Sequence, residues 1–268
     1  MPTTLMPKVT YQGDGRCVFC MQRFADSDLT DEHVIPEAIH GASVIKNGSC
    51  FPCARFSNKS YENEALNNDL KVARLLLELK GKRGAAIPRH IRHLPAVYPG
   101  NSTMEDYGEP RMLDFPVGMY PKHFTLIRFP PPGILSGIDR GGAITEVGMR
   151  SFFIDGKGLS GVTVQQEIKN GPFAMMLAKI GYCFAVGERG LDGFDGDEIR
   201  ELLRDEREDI YNFVGNSKDL EFVSQRHLHG LNFRQRGEWL TVLVNLFASF
   251  TGNVRKDQPY EIVVGKAR

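Results

Sequence analysis

Residues 17–53 read CVFCMQRFADSDLTDEHVIPEAIHGASVIKNGSCFPC. Two Cys-x-x-Cys pairs, Cys17/Cys20 and Cys50/Cys53, open and close the stretch with 29 residues between them. Each pair presents two thiolates from one tight turn, so two pairs at this separation offer the four sulfurs of a tetrahedral zinc site. Two disulfides would need an oxidising compartment, and a thioredoxin-like redox motif would need a single pair beside a βαβ pattern. The spacing favours structural zinc on Cys17, Cys20, Cys50 and Cys53. Such an ion holds together a segment with too little core of its own.

Outward from this frame, the composition is that of an ordinary globular chain of 268 residues: 41% hydrophobic, 25% charged, with 28 Gly and 15 Pro supplying turns. No run reaches the roughly 18 apolar residues that span a bilayer, and MPTTLMPKV lacks the apolar stretch of a signal peptide, so the expected setting is cytoplasmic, with no membrane partner. A formal net charge of zero argues against a uniformly basic nucleic-acid binder. Charge is nevertheless concentrated in 71–93, where Lys71, Arg74, Lys80, Lys82, Arg83, Arg89 and Arg92 face the single acid Glu78. A second basic cluster, SQRHLHGLNFRQR, contains Arg226, His227 and His229. The fifth cysteine, Cys183, lies in the apolar run FAMMLAKIGYCFAV and reads as a small buried hydrophobe.

Residues 1–16 read as a loosely attached lead-in. LTDEHVIP reads as a short strand stopped by Pro36, and Leu66, Leu70, Ala73 and Leu77 predict a helix over 60–79 ending near Gly81. Prolines and glycines make 84–115 a linker or extended connection. Strands are expected at FTLIRF (124–129), RSFFIDGKG (150–158), VTVQQEI (162–168), WLTVLVNLFASF (239–250) and YEIVVG (260–265). Helices are expected over 172–187, apolar nearly all round, and about 196–210. The expected architecture is α+β: lead-in 1–16, a metal-stapled module 17–83, the connection 84–115 and a mixed α+β domain 116–268.

The order CVFC, then LTDEHVIPEAI, then SCFPC and a helix resembles the zinc-stapled HNH endonucleases with their ββα-metal core, over roughly residues 17–80. The resemblance implies hydrolysis of DNA phosphodiesters and leaves RNA open as the substrate. His33 would be the general base, since a neutral imidazole suits proton transfer near neutral pH. Glu32 would be an oxygen ligand to a catalytic Mg²⁺ or Mn²⁺. The family's usual Asn or His directly after the last cysteine is Ala54 in this chain, and Asn58 or Glu62 is the expected replacement. Lys71, Arg74, Lys80, Lys82 and Arg83 would contact phosphates. The competing readings are a zinc-stabilised nucleic-acid-binding module that has lost cleavage, which Ala54 favours, and a chain whose main activity lies in 116–268.

Overall fold

A computed structural model describes residues 8–79, 90–93, 95–97, 113–116, 126–142, 147–152, 162–167, 170–219, 227–251 and 259–268. Helices and sheets are mixed, as an α+β chain requires. Thr10–Gln12 (β1), Leu29–His33 (β2) and Val44–Cys50 (β3) form a sheet in the order β1-β3-β2, with β1 parallel and β2 antiparallel to the central strand. Part of the lead-in is therefore structural, because β1 covers an otherwise open edge of β3.

The β2/β3 ladder starts at Leu29↔Cys50 and Thr30↔Ser49 and resumes at Glu32↔Ile45 and His33↔Val44. Between these pairs β3 uses more residues than β2 and bulges, with Asn47 at φ 47°. Asp31 pins the bulge by accepting from Lys46 Nζ at 2.6 Å and from the Asn47 N–H at 3.2 Å. Bulging frees the Gly48 carbonyl, which accepts the Val18 N–H at 2.8 Å and so ties the first cysteine turn to the sheet. A Cβ on Gly48 would stand 2.9 Å from Glu32 Cβ, so a glycine is needed for Glu32 to keep its place.

Cys50 ends β3 and leads directly into a helix. Phe51–Ser57 (α1) continues through a π-turn, Asn58–Glu62, into Asn63–Asn67 (α2). After a break, Lys71–Leu76 (α3) follows. The expected helix over 60–79 thus starts closer to the metal frame and is interrupted. The cause is local: Asn68 Nδ2 donates to Glu64 Oε1 at 2.7 Å, Arg74 Nη1 caps the Leu66 carbonyl at 3.0 Å, and Leu70 leaves helical geometry at φ −98°, ψ 0°.

His90–His93 (β4), Pro95–Val97 (β5) and Leu113–Pro116 (β6) come next, so the connection 84–115 is extended wherever it is described. Gly133–Ser136 (α4) is a single helical turn. Val147–Phe152 (β7) and Val162–Glu167 (β8) follow. β4 pairs with β6, and β8 lies between β5 and β7, all antiparallel. The turn expected at Asp155–Gly156 lies outside the described residues.

Asn170–Arg189 (α5) bears out the expected apolar helix and is the longest described. Phe194–Asp195 (β9), Asp197–Leu203 (α6), Ile210–Phe213 (α7), Val214–Asn216 (β10), Gly230–Arg236 (β11), Trp239–Asn245 (β12), Ala248–Thr251 (α8) and Tyr260–Ala267 (β13) complete the chain. Their sheet has the order β10-β13-β12-β11, with β9 also on β13. Two expectations fail here. Residues 126–129 are not a strand, because the Ile127 carbonyl accepts Tyr260 Oη–H at 2.6 Å and the Phe129 N–H donates to Asn216 Oδ1 at 2.7 Å. The helix over 196–210 breaks into α6 and α7. The second basic cluster is largely strand β11, where Arg234 and Arg236 pair with Asp219, and Arg236 also with Glu261.

Both faces of α5 are buried. One lies on the C-terminal sheet, where a Cβ on Gly181 would stand 2.9 Å from Ile262. The other lies on the cysteine-bearing segment, where Tyr182 Oη donates to the Val18 carbonyl at 2.5 Å and Gly187 makes room for the Tyr11 ring. One hydrophobic core therefore runs from Cys17 to Val264 through α5, which also buries Cys183 as a small apolar residue.

His229 adds a second tie. Its Nδ1 accepts the Phe247 N–H at 3.3 Å, so Nε2 carries the proton and donates to the Ile39 carbonyl at 2.7 Å. Burial pushes its pKa down from 6.5 to about 4. The unfolded chain therefore binds a proton that the folded chain refuses. Stability is full above pH 6.5 and falls as pH drops towards 4, by about 3 kcal/mol at most. In thermal melts between pH 7.5 and 4.5, we expect His229→Gln to lower the melting temperature at neutral pH and to flatten the acid-side slope. An unchanged slope would remove His229 from this role.

Candidate metal centre and acid–imidazole pair

The four cysteines come from two local devices. Cys17 and Cys20 occupy a turn closed by Met21 N–H to the Cys17 carbonyl and Cys17 N–H to the Gln22 carbonyl, both 2.9 Å. Cys50 is the last residue of β3, and Cys53 lies in the first turn of α1 behind Pro52. Their sulfurs all lie within 4.8 Å of one another. Thiolates bound to one tetrahedral zinc stand about 3.8 Å apart, so this set fits the ion. A hydrogen bond with Cys53 draws the Cys17 thiol down to about 4; burial opposes it, and the backbone of Cys20, Cys50 and Phe19 assists it. Donors aimed at sulfur favour the thiolate that zinc requires. When bound, the ion would crosslink the Cys17–Cys20 turn to the start of α1.

The acid–imidazole pair lies at the end of β2. Its two side chains enter different surroundings: Glu32 is 5% exposed, whereas His33 is only half-buried. Glu62, in the π-turn, is 7% exposed. The two carboxylates converge, but on a cation from α5. Lys179 Nζ stands 2.5 Å from Glu32 Oε1, 2.7 Å from Glu62 Oε1 and 3.0 Å from the His33 carbonyl. An ammonium has three donors, and all three are engaged. Burial disfavours charge on Lys179, but Glu32 and then Glu62 outweigh it and hold the ammonium well above its ordinary range. Removing one member of such a buried set costs about 3–5 kcal/mol, because the others keep their charge without a partner.

Of the expected oxygen ligands, the structure therefore brings Glu32 and Glu62 together and leaves Asn58 apart. Asn58 is exposed, and its Oδ1 accepts Asn63 Nδ2 at 2.7 Å. Ala54 offers no side-chain donor. Among the described residues, the four cysteines are the only group of three or more His, Cys, Asp or Glu side chains close enough to share an ion. A divalent cation at Glu32 and Glu62 thus lacks a third such protein donor and meets an ammonium at the shared point. The residues do not fit that ion as arranged.

Lys179 was missed in the sequence, although it has a signal: one charge in the middle of an apolar helix must find an opposite charge inside. Of the expected phosphate contacts, Lys71 is half-buried and Arg74 is turned back as the cap of α2, a correction to its expected role. Lys80, Lys82 and Arg83 lie outside the described residues. Among the described residues, no helix is long and apolar enough to cross a membrane.

The zinc assignment has a direct consequence. Metal analysis of purified protein should return one equivalent of zinc, and Cys50→Ser should lower the melting temperature by on the order of 10 °C. Much less than one equivalent would contradict the four-cysteine site.

Comparison with curated proteins and with solved structures returned no match. Comparison with protein families returned one, described as HNH endonuclease, over residues 17–70. That span takes in both cysteine pairs, the Glu32–His33 strand end and the helix carrying Glu62, so this part of the chain is similar to the HNH endonucleases.

Proposed function

We propose that the protein acts on nucleic acid through residues 17–83, hydrolysing DNA phosphodiesters with His33 as general base, and that 116–268 supports this segment. The reading rests on one observation: the family match spans a zinc-type frame that presents His33, half-buried, at the end of a strand fixed from both sides. His33 has its main chain fixed by Lys179, which donates to its carbonyl, and by the Val44 pairing on β3. An imidazole held in this way takes the proton of an attacking water at neutral pH.

A second reading, a zinc-stabilised nucleic-acid-binding module without cleavage, draws support from the Lys179 clamp and from Ala54. Plasmid DNA incubated with wild type and His33→Ala under Mg²⁺ and under Mn²⁺ separates the two. We expect wild type to nick or linearise the plasmid and His33→Ala to lose about 10²- to 10⁴-fold in rate. Equal cutting by both would remove His33 from the chemistry. No cutting by either, with binding retained in metal-free buffer, would establish the binding module.

A further inference from the structure

We propose that Lys179 is the resident cation of the Glu32–Glu62 pair, which holds this ammonium or a divalent ion but never both, so that α5 decides whether the HNH segment can take a metal there. The proposal deepens the nuclease reading and rests on it. Two carboxylate oxygens reach one nitrogen at 2.5 and 2.7 Å. Oxygen ligands surround a divalent ion at about 2.0–2.6 Å, so the ion and the ammonium would compete for one point. No space is left for both: Lys179 is 1% exposed, and its third donor is engaged by the His33 carbonyl.

The clamp is anchored beyond its own side chains. Tyr182, one turn along α5, donates to the Val18 carbonyl, while Gly181 is pressed against Ile262 on the opposite face. α5 is therefore fixed against both the cysteine turn and the C-terminal sheet, and sliding the helix would disturb both contacts. Release of the pair must come from Lys179 itself or from a change in how the C-terminal part seats on the HNH segment. This makes Lys179 a positioning residue: it acts through Glu32, Glu62 and the His33 main chain, not by touching substrate.

The test is Mn²⁺ binding to the zinc-loaded full chain without DNA, read by electron paramagnetic resonance of free Mn²⁺ and by thermal melts. Wild type should bind no Mn²⁺ tighter than about millimolar. Lys179→Gln should bind one Mn²⁺ on the order of tenfold or more tighter and gain melting temperature with it, and adding Glu62→Gln should abolish both effects. Lys179→Arg, which keeps a cation in place, should behave as wild type. Either of two results overturns the proposal: tight Mn²⁺ binding by wild type that Glu62→Gln removes, or a folded Lys179→Gln that takes none. Should Lys179→Gln fail to fold, the comparison of wild type with Glu62→Gln still decides. Failure of the nuclease reading appears separately, as indifference of plasmid cleavage to His33→Ala.

Discussion

A lysine ammonium between two carboxylates, buried where water does not compensate any of them, is the constraint around which the two halves of the chain are arranged. Lys179 comes from α5, Glu32 from β2 and Glu62 from the π-turn, and each is costly to bury without the others. The clamp fixes the depth and rotation at which α5 crosses the cysteine-bearing segment. The Tyr182–Val18 bond and the glycine contacts at 181 and 187 then follow along the same helix. Apolar packing supplies most of the driving force, but it is non-directional; the charged triad requires one particular alignment of three elements.

The zinc frame and this shared core divide the work. With a metal bound, the cysteines would close a loop of chain and fix the Cys17–Cys20 turn against β3 and α1. Residues from the C-terminal half then cover that turn: Arg204 donates to the Phe19 carbonyl at 2.8 Å, and Arg16 binds Asp192 in return. A bound zinc would stabilise the segment locally, and α5 seats it globally.

The parts legible in the sequence were those whose rules are local. Cysteine spacing is dictated by the metal, so Cys17, Cys20, Cys50 and Cys53 could be grouped before any coordinates. The short strand before Pro36, the apolar helix that became α5 and the closing strand β13 likewise follow from pattern alone, although β2 already ends at His33. What escaped was set by distant partners. Lys179 meets Glu62 across 117 residues and the His33 carbonyl across 146, and no window of sequence contains that pairing. Strand β11 hid behind arginines whose partners, Asp219 and Glu261, lie on other segments. FTLIRF has strand composition, but the side chains of Asn216 and Tyr260 take its main-chain groups.

The π-turn at Asn58–Glu62 carries one more consequence. It fits one surplus residue between α1 and α2 by widening a single turn. Five residues of the wider turn carry the chain about as far round as four of an α-helix, so α2 keeps nearly the phase it would have without the surplus residue. The widening is felt inside the turn, where Glu62 stands opposite Lys179. Chain length at this turn is therefore a local constraint: it places one carboxylate of the clamp and leaves the course of the helix beyond it unchanged.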